Sequence, residues 1–385
     1  MWKVLCQGNY NGGESPVTGS RSMLSPALQA FFISPGLCVC LQPRPREKQL
    51  LFVKKISLIC FGACALLLSA CKNDLDVVDD YRETMVVYGL LDPADTAQYI
   101  KINKAFLGHA DAYTMAGQYD SSNYVHGEIT AYLQRWLNGV QVGANIPLVQ
   151  DSLIPRSAGV FANPGQMLYK TTTPIVQDGS DYLIYVVNNR TGKTATAKTD
   201  IIQQFNVTTP ILNQTINLVG QNVFTTKWKT AAKGRLFSLT VRMHYKERFV
   251  FDTLQVADKY IDLIFDPVRS GTLSGGEQLE QAIAPRTFFQ NIKNSPLLNT
   301  DPQKERFFQS LEFIFSAAAE DFSTYMDVQN TTIATFGDHP FFSNITGGVG
   351  LFSSRYNYSI PNIGLNAASK DSLKNGQYTY DLRFR

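Results

Sequence analysis

The chain reads as mainly β: an N-terminal immunoglobulin-like or transthyretin-like β-sandwich, followed by a second β-rich domain with short packed helices. Three observations predict this. Apolar and polar residues alternate with a period of two in several short runs, as in "LFSLTVRMHYKER" (236–248). Turn residues such as Asn138-Gly139 separate those runs. All six cysteines lie at or before position 71, so the body that follows has no disulfide or cysteine-metal staple and must be held by its own core.

The elements follow in order. "TMVVYGLL" (84–91) is a β-branched and aromatic run, and "AQYIKINKAFLG" (97–108) sets Ile100 and Ile102 opposite Lys101 and Asn103. "VHGEITAYLQRW" (125–136) runs into Asn138-Gly139, a dipeptide that tolerates positive φ and closes a tight hairpin. "DYLIYVVNN" and "KTATAKTDII" flank Arg190-Thr191-Gly192 as a second hairpin. These strands place the sandwich at 84–209, with "TTPILNQT" (208–215) as the break. In the second domain, 210–385, Phe237, Leu239, Val241, Met243 and Tyr245 share one strand face. The chain end repeats the pattern, with Tyr378, Tyr380, Leu382 and Phe384 opposed to Thr379, Asp381, Arg383 and Arg385. "PRTFFQNI" (285–292) and "AAAEDFSTYM" (317–326) carry apolar residues at helical spacing and are expected to pack as helices on the sheet. An outer-membrane barrel would show similar strands, but there are too few of them here.

Upstream of this body lies an address. Lys54 and Lys55 precede fifteen uncharged, mostly apolar residues, 56–70. A membrane-spanning helix needs about 20, so the run fits a secretory signal peptide. It ends in Leu68, Ser69, Ala70 and Cys71, which resembles a bacterial lipobox: small side chains flank the scissile bond and the cysteine sulfur carries diacylglycerol. Each buried methylene adds about 0.8 kcal/mol, so two or three chains on Cys71 would hold the protein to a membrane. Residues 1–52 precede the signal without clear periodicity. They are expected to be a disordered gene-model extension, with Val53 as the start and 53–70 as the signal peptide.

Charge changes with this reading. The full chain has 35 basic and 32 acidic residues; removing the seven basic and two acidic ones of 1–70 leaves 28 and 30. The residual −2 carries no nucleic-acid footprint. The segment 71–83 becomes the lipidated cysteine and an acidic tether with Asp74, Asp76, Asp79 and Asp80. It reads either as a solvated linker or as a sorting signal, since it resembles the acidic patch that follows the cysteine in surface-exported Bacteroidota lipoproteins. Four Asp-Ser/Thr-apolar triplets are similar to the O-glycosylation sequon of those bacteria. They make Thr96, Ser152, Thr253 and Ser372 the candidate acceptors.

Chemistry-bearing motifs are few. "LSGGEQ" (273–278) resembles the signature loop of ABC ATPases, but no GxxxxGK[ST] accompanies it, and a flexible polar loop is expected. "GGVG" (347–350) lacks the third glycine and helix start of a dinucleotide site, so its glycines are expected to permit a bend or bulge. His109, His126, His244 and His339 are scattered away from metal-ligand spacing, and no metal or cofactor is expected. Glu128, Glu247, Asp262, Asp266, Glu312 and Asp321 are available for acid–base work, though spacing pairs none of them. Trp136 and Trp228 lie on expected strands, where core packing competes with a glycan-binding platform.

"MVVYGLLDPADTAQYIKINKAF" (85–106), "PFFSNITGGVGLFSSR" (340–355) and Cys71 together resemble the Bacteroidota lipoproteins catalogued as domain of unknown function 4249. The resemblance spans most of 71–360 and is sharpest at Phe341–Arg355. It implies a β-sandwich followed by a second β-rich domain, and no catalytic residues. Genes of that kind neighbour TonB-dependent transporters. The expectation is therefore a non-enzymatic, lipid-anchored lipoprotein of the outer membrane, periplasm-facing or exposed at the cell surface. It would serve uptake or assembly by binding a transporter, a glycan or a peptide. A lipid-anchored hydrolase of polysaccharide or peptide, and a structural adhesin, are the alternatives.

Overall fold

The computed structural model describes residues 83–105, 112–151, 167–171, 176–177, 179–330 and 340–385. Leu68, Ser69, Ala70, Cys71 and Ser152 lie outside these residues. The described chain is mainly β, with few and short helices. In the first half come strands β1 (Met85–Leu91), β2 (Tyr99–Lys104), β3 (Ile129–Leu137), β4 (Val140–Gln141), β5 (Ile146–Asp151), β6 (Leu168–Thr171), β7 (Asp181–Asn188) and β8 (Thr194–Asp200). Two helical turns, α1 (Ala112–Ala116) and α2 (Tyr119–Ser122), interrupt them. In the second half come β9 (Asn206–Thr209), β10 (Thr215–Ile216), β11 (Phe224–Lys229), β12 (Leu236–Phe249), β13 (Asp252–Ile264), β14 (Val268–Arg269), β15 (Gln278–Ile283), β16 (Lys304–Ala318) and β17 (Gly348–Leu365). Helices α3 (Pro285–Lys293), α4 (Glu320–Asn330) and α5 (Ala367–Asn375) complete it.

One large sheet runs in the order β13-β12-β16-β17-β1-β2-β6-β5-β3-β7-β8, and a small one in the order β15-β11-β9. Two cores result. The first gathers Val87, Ile100, Ile102, Leu133, Ile184 and Val186 from the inward positions of alternating strands. The second gathers Leu239, Val241, Met243, Phe313, Phe315 and Trp228 between the large sheet, the small sheet and α3. Each such side chain contributes about 1.5–3 kcal/mol by leaving water. Members of the first core run up to Ile201 and those of the second start at Ile202, except that Ile345 and Phe352 return to the first. The long strand β17 thus serves both: Phe352 points into one core, Ile360, Ile363 and Leu365 into the other.

Strands β1 and β17 pair in parallel, from Met85↔Gly348 to Leu91↔Ser354. This brings together the segments 85–106 and 340–355. Their residue types follow from that closure. Ser343 Oγ accepts from Ile345 N and Gly350 N at 3.2 and 3.1 Å. Asn344 copies a strand partner: its Oδ1 accepts from Phe352 N at 2.9 Å and its Nδ2 donates to Phe352 O at 2.8 Å. Gly350 has φ +127°, a conformation closed to side chains, and a Cβ there would strike the Val87 carbonyl. Ser354 Oγ donates to Asp200 O at 2.7 Å and so ties the seam to the start of the second core. At its end, Arg355 lies between Asp92 and Asp95, at 3.4 and 3.3 Å. Asn344→Ala removes three hydrogen bonds here. It is expected to destabilise by about 2–3 kcal/mol, at roughly 1 kcal/mol each, read as a lowered urea midpoint.

Three local expectations need correction. The chain end is not a strand: α5 is capped by Asn366, whose side chain accepts from Ser369 N. Thr379 Oγ1 then bonds to Leu373 O at 2.7 Å, and residues 380–382 coil into a 3₁₀ turn. Leu382 and Phe384 are buried while Tyr380 is exposed, so the alternation reflected a turn docking onto the core. The second correction concerns Ala317 and Ala318, which close β16 rather than open a helix; α4 starts at Glu320. Third, "LSGGEQ" leads into β15 and is pinned: Glu277 accepts from Ser270 Oγ at 2.7 Å and from Gly271 N at 2.8 Å.

Candidate functional site

The two-residue period of β12 decides what happens at its far end. Val241, Met243 and Tyr245 fill the core, and two positions on the same face brings Glu247 to its edge. A buried carboxylate must be paired. Arg306, fully buried on β16 directly opposite, donates its Nε to Glu247 Oε2 at 2.9 Å. The other guanidinium nitrogens of Arg306 bond to Leu382 O and Asn299 Oδ1, at 2.6 and 3.1 Å. Lys259 and Lys304 reach Glu247 Oε1 at 2.6 and 3.5 Å. Burial pushes the Glu247 carboxyl up, but the Lys259 hydrogen bond and the charges of Arg306, Lys259 and Lys304 outweigh it and hold it below the usual carboxylate range. Three cations around one carboxylate leave a positive surplus, and Lys259 carries it to the surface.

Beyond Glu247 the strand pair runs out of core. β12 and β13 join through a two-residue turn, Val250-Phe251, between the paired Phe249 and Asp252. Such turns favour glycine, asparagine and aspartate; here both positions are large and apolar. Phe251 is 75% exposed and Leu254 93%. Of the twenty exposed large hydrophobic residues among the described ones, seven lie in 249–264, a concentration of exposed apolar side chains along one hairpin. The Phe249 and Phe251 rings stack at 5.1 Å, and the Lys304 ammonium sits 5.6 Å from the Phe249 ring. A hollow of about 560 Å³ opens beside them, lined by Glu247, Arg248, Phe249, Leu254, Val256 and Lys304 among others.

The outward face of the same strands is polar. Arg242 grips Asp262 with two hydrogen bonds, at 2.7 and 2.9 Å, and lies 4.2 Å from the Tyr260 ring. His244 Nε2 is 3.1 Å from Glu312 Oε2, and Ser359 Oγ donates to Glu312 Oε1 at 2.6 Å. A shallow hollow of about 450 Å³ lies alongside. In a nucleophile triad the histidine stands between serine and acid. Here the acid stands in the middle, so Ser359 faces a carboxylate and not a histidine.

The remaining sequence candidates scatter. Glu128 bonds to Arg190 at 2.8 Å, and Asp321 accepts from Asn344. Asp266 and His126 are exposed. His109 and His339 lie outside the described residues. Among the described residues no three potential ligands gather to hold a metal ion, and no helix is long and apolar enough to cross a membrane. Trp228 is core and Trp136 is half-buried on β3. Of the candidate glycosylation positions, Thr96 is exposed in the β1–β2 turn and Thr253 is exposed at the hairpin end. Ser372 is half-buried on α5, with its hydroxyl donating to Ala368 O at 3.0 Å.

The sequence reading missed Arg306, Lys259, Lys304, Phe251 and Leu254 as a group. One signal was available: "FVFDTL" (249–254) has apolar residues where a hairpin needs turn formers. The convergence of Lys259, Lys304 and Arg306 on Glu247 depends on the β12–β13 and β12–β16 registers and leaves no linear trace. Compared with protein-family models and with curated proteins, the chain matches none.

Proposed function

We propose that this chain is a lipid-anchored envelope lipoprotein, held to the outer membrane through Cys71, that works without catalysis as an accessory binding protein for uptake or assembly. The apolar hairpin end carries this reading. Along the paired strands, Met85 starts at Gly348, β17 hands over to β16 at Ile363↔Leu311, and β16 ends at Lys304↔Phe249. That contour is about 22 residues, roughly 70 Å at about 3.3 Å per residue. The tether would enter at one end of the strand track and Phe251 lies at the other. A tether of 71–83 spans at most about 47 Å, less than that contour, so the hairpin end is the part of the strand track farthest along the chain path from the tether and the candidate for meeting a transporter, a peptide or a glycan.

Two further features support binding over hydrolysis. Glu128, Asp200, Glu247, Glu277 and Glu305 all have carboxyls held below their ordinary range. A general acid needs the opposite shift. The Asp92 carboxyl is pushed up by burial, but it is sealed from solvent and bonded to Ala94 N and Asn357 Nδ2. In addition, the two segments whose sequence resembles the domain of unknown function 4249 lipoproteins are spent on building the β1–β17 seam, a scaffold role rather than a catalytic one.

Metabolic labelling with an alkyne fatty acid tests the anchor. Wild type is expected to label and sediment with membranes, and Cys71→Ala to do neither. Equal labelling of the two would overturn the reading.

A further inference from the structure

We propose that the free edge of β13 receives an extended segment of a partner protein as an added strand. The segment would place acidic side chains toward Lys259 and apolar ones toward Leu254, Val256 and Tyr260. This deepens the binding reading and rests on it for there being a partner; the strand addition itself does not depend on Cys71.

β13 ends the order of the large sheet and pairs with β12 alone, regularly from Val256 to Ile264, with an irregularity that leaves 253–255 without a register partner. Every second backbone N–H and C=O on its outer side is therefore a template for another strand. The irregularity at 253–255 is one protective device; from Val256 onward the others are weak. No proline falls within 252–264. The charges on the strand are already engaged inward: Lys259 with Glu247, Asp262 with Arg242, and Asp258 within 3.9 Å of Lys246. Residues 253–260 are exposed on both faces of the strand, so no other part of the described chain covers them.

The two faces call for different partners. Lys259 pairs across from Tyr245 and shares the face of Glu247, where cations are in surplus. Val256 and Tyr260 are exposed on the other face, between Asp258 and Asp262, which Lys246 and Arg242 engage, and Leu254 is exposed in the irregular stretch beside them. An incoming strand that alternates acidic and apolar residues satisfies both faces at once. A second copy fits less well. Two-fold antiparallel pairing centred on Asp258 sets that carboxylate against itself, centring on Lys259 sets two ammonium groups together, and centring on Ala257 opposes Asp252 to Asp262. An anionic bilayer is opposed by Asp252 and Asp258 beside the apolar residues.

The test uses the full chain in detergent and a fluorescein-labelled (Val-Glu)₄ peptide, followed by fluorescence polarisation. Saturable binding is expected. It should weaken at least tenfold in Leu254→Asp, whose side chain touches little, and at least tenfold when glutamate is replaced by lysine in the peptide. A peptide methylated on alternate backbone nitrogens should not bind. Absence of (Val-Glu)₄ binding, or equal binding by Leu254→Asp or by (Val-Lys)₄, overturns the proposal. So does dimerisation in the ultracentrifuge, or flotation with phosphatidylglycerol vesicles, that Leu254→Asp abolishes while the peptide fails to bind. Loss of peptide binding with Cys71 still labelled removes this proposal and leaves the anchor; binding without labelling does the reverse.

Discussion

Gly350→Ala is expected to abolish the cooperative fold or to destabilise it by more than about 4 kcal/mol, a size reserved for a few mechanisms. Two of them coincide here. A backbone held at φ +127° costs a side-chain-bearing residue about 1–3 kcal/mol. The new Cβ would also meet the Val87 carbonyl, in a register where Val87 and Gly350 are direct partners. Relief requires β1 and β17 to separate, and that separation opens the first core at Val87 and Phe352. Gly220→Ala is the control. Its φ is +62°, but no atom lies within 4 Å of an added Cβ, so it should cost only about 1 kcal/mol of backbone strain. Urea titration followed by circular dichroism should separate the two variants. Similar midpoints would mean that the seam is not the closure described.

Arg306→Met should cost about 3–5 kcal/mol, the usual result of removing one member of a buried ion pair. Glu247 would keep Lys259 and Lys304, which favours the lower end, but Leu382 O and Asn299 Oδ1 would lose their donors. The same cluster predicts an acid limb of stability. The Glu247 carboxyl is depressed in the folded state, so its contribution is present above the ordinary glutamate value of about 4.3 and is lost as pH falls through the lower, folded value. Glu247→Gln should flatten thermal stability against pH in that acid window while lowering it at neutral pH. An unchanged slope below pH about 4 would show that Glu247 is not the group responsible.

The architecture was legible where one strand face is dry. The run 236–248 announced β12 because Val241, Met243 and Tyr245 meet the core while Arg242 and His244 meet water. Asn138 and Gly139 announced their turn because both adopt positive φ, +50° and +80°. Phe288, Phe289 and Ile292 announced α3 because they bury together. The chain end misled because alternation also arises when a turn lays every second side chain on a core, as Leu382 and Phe384 do. The candidate site was nearly silent. Its cations come from β13, from β16 and from the start of β16, and only the hydrogen-bond registers make them neighbours. The seam motif was visible as a motif, but its purpose was not. Ser343, Asn344 and Gly350 have the residue types of a binding loop, and they spend them on closing the molecule.

The pairing of β1 with β17 also orders events in time. Met85 and Gly348 are neighbours in space yet lie 263 positions apart in the chain (348 − 85). During synthesis at about 5–20 residues per second, some tens of seconds or less separate the emergence of the two strands. Through that interval the N-terminal strands have no lid over Val87 and cannot complete their interior. The later strand acts as the closing stitch, so a nascent chain of this protein stays open, and threadable through a narrow passage, until β17 has emerged.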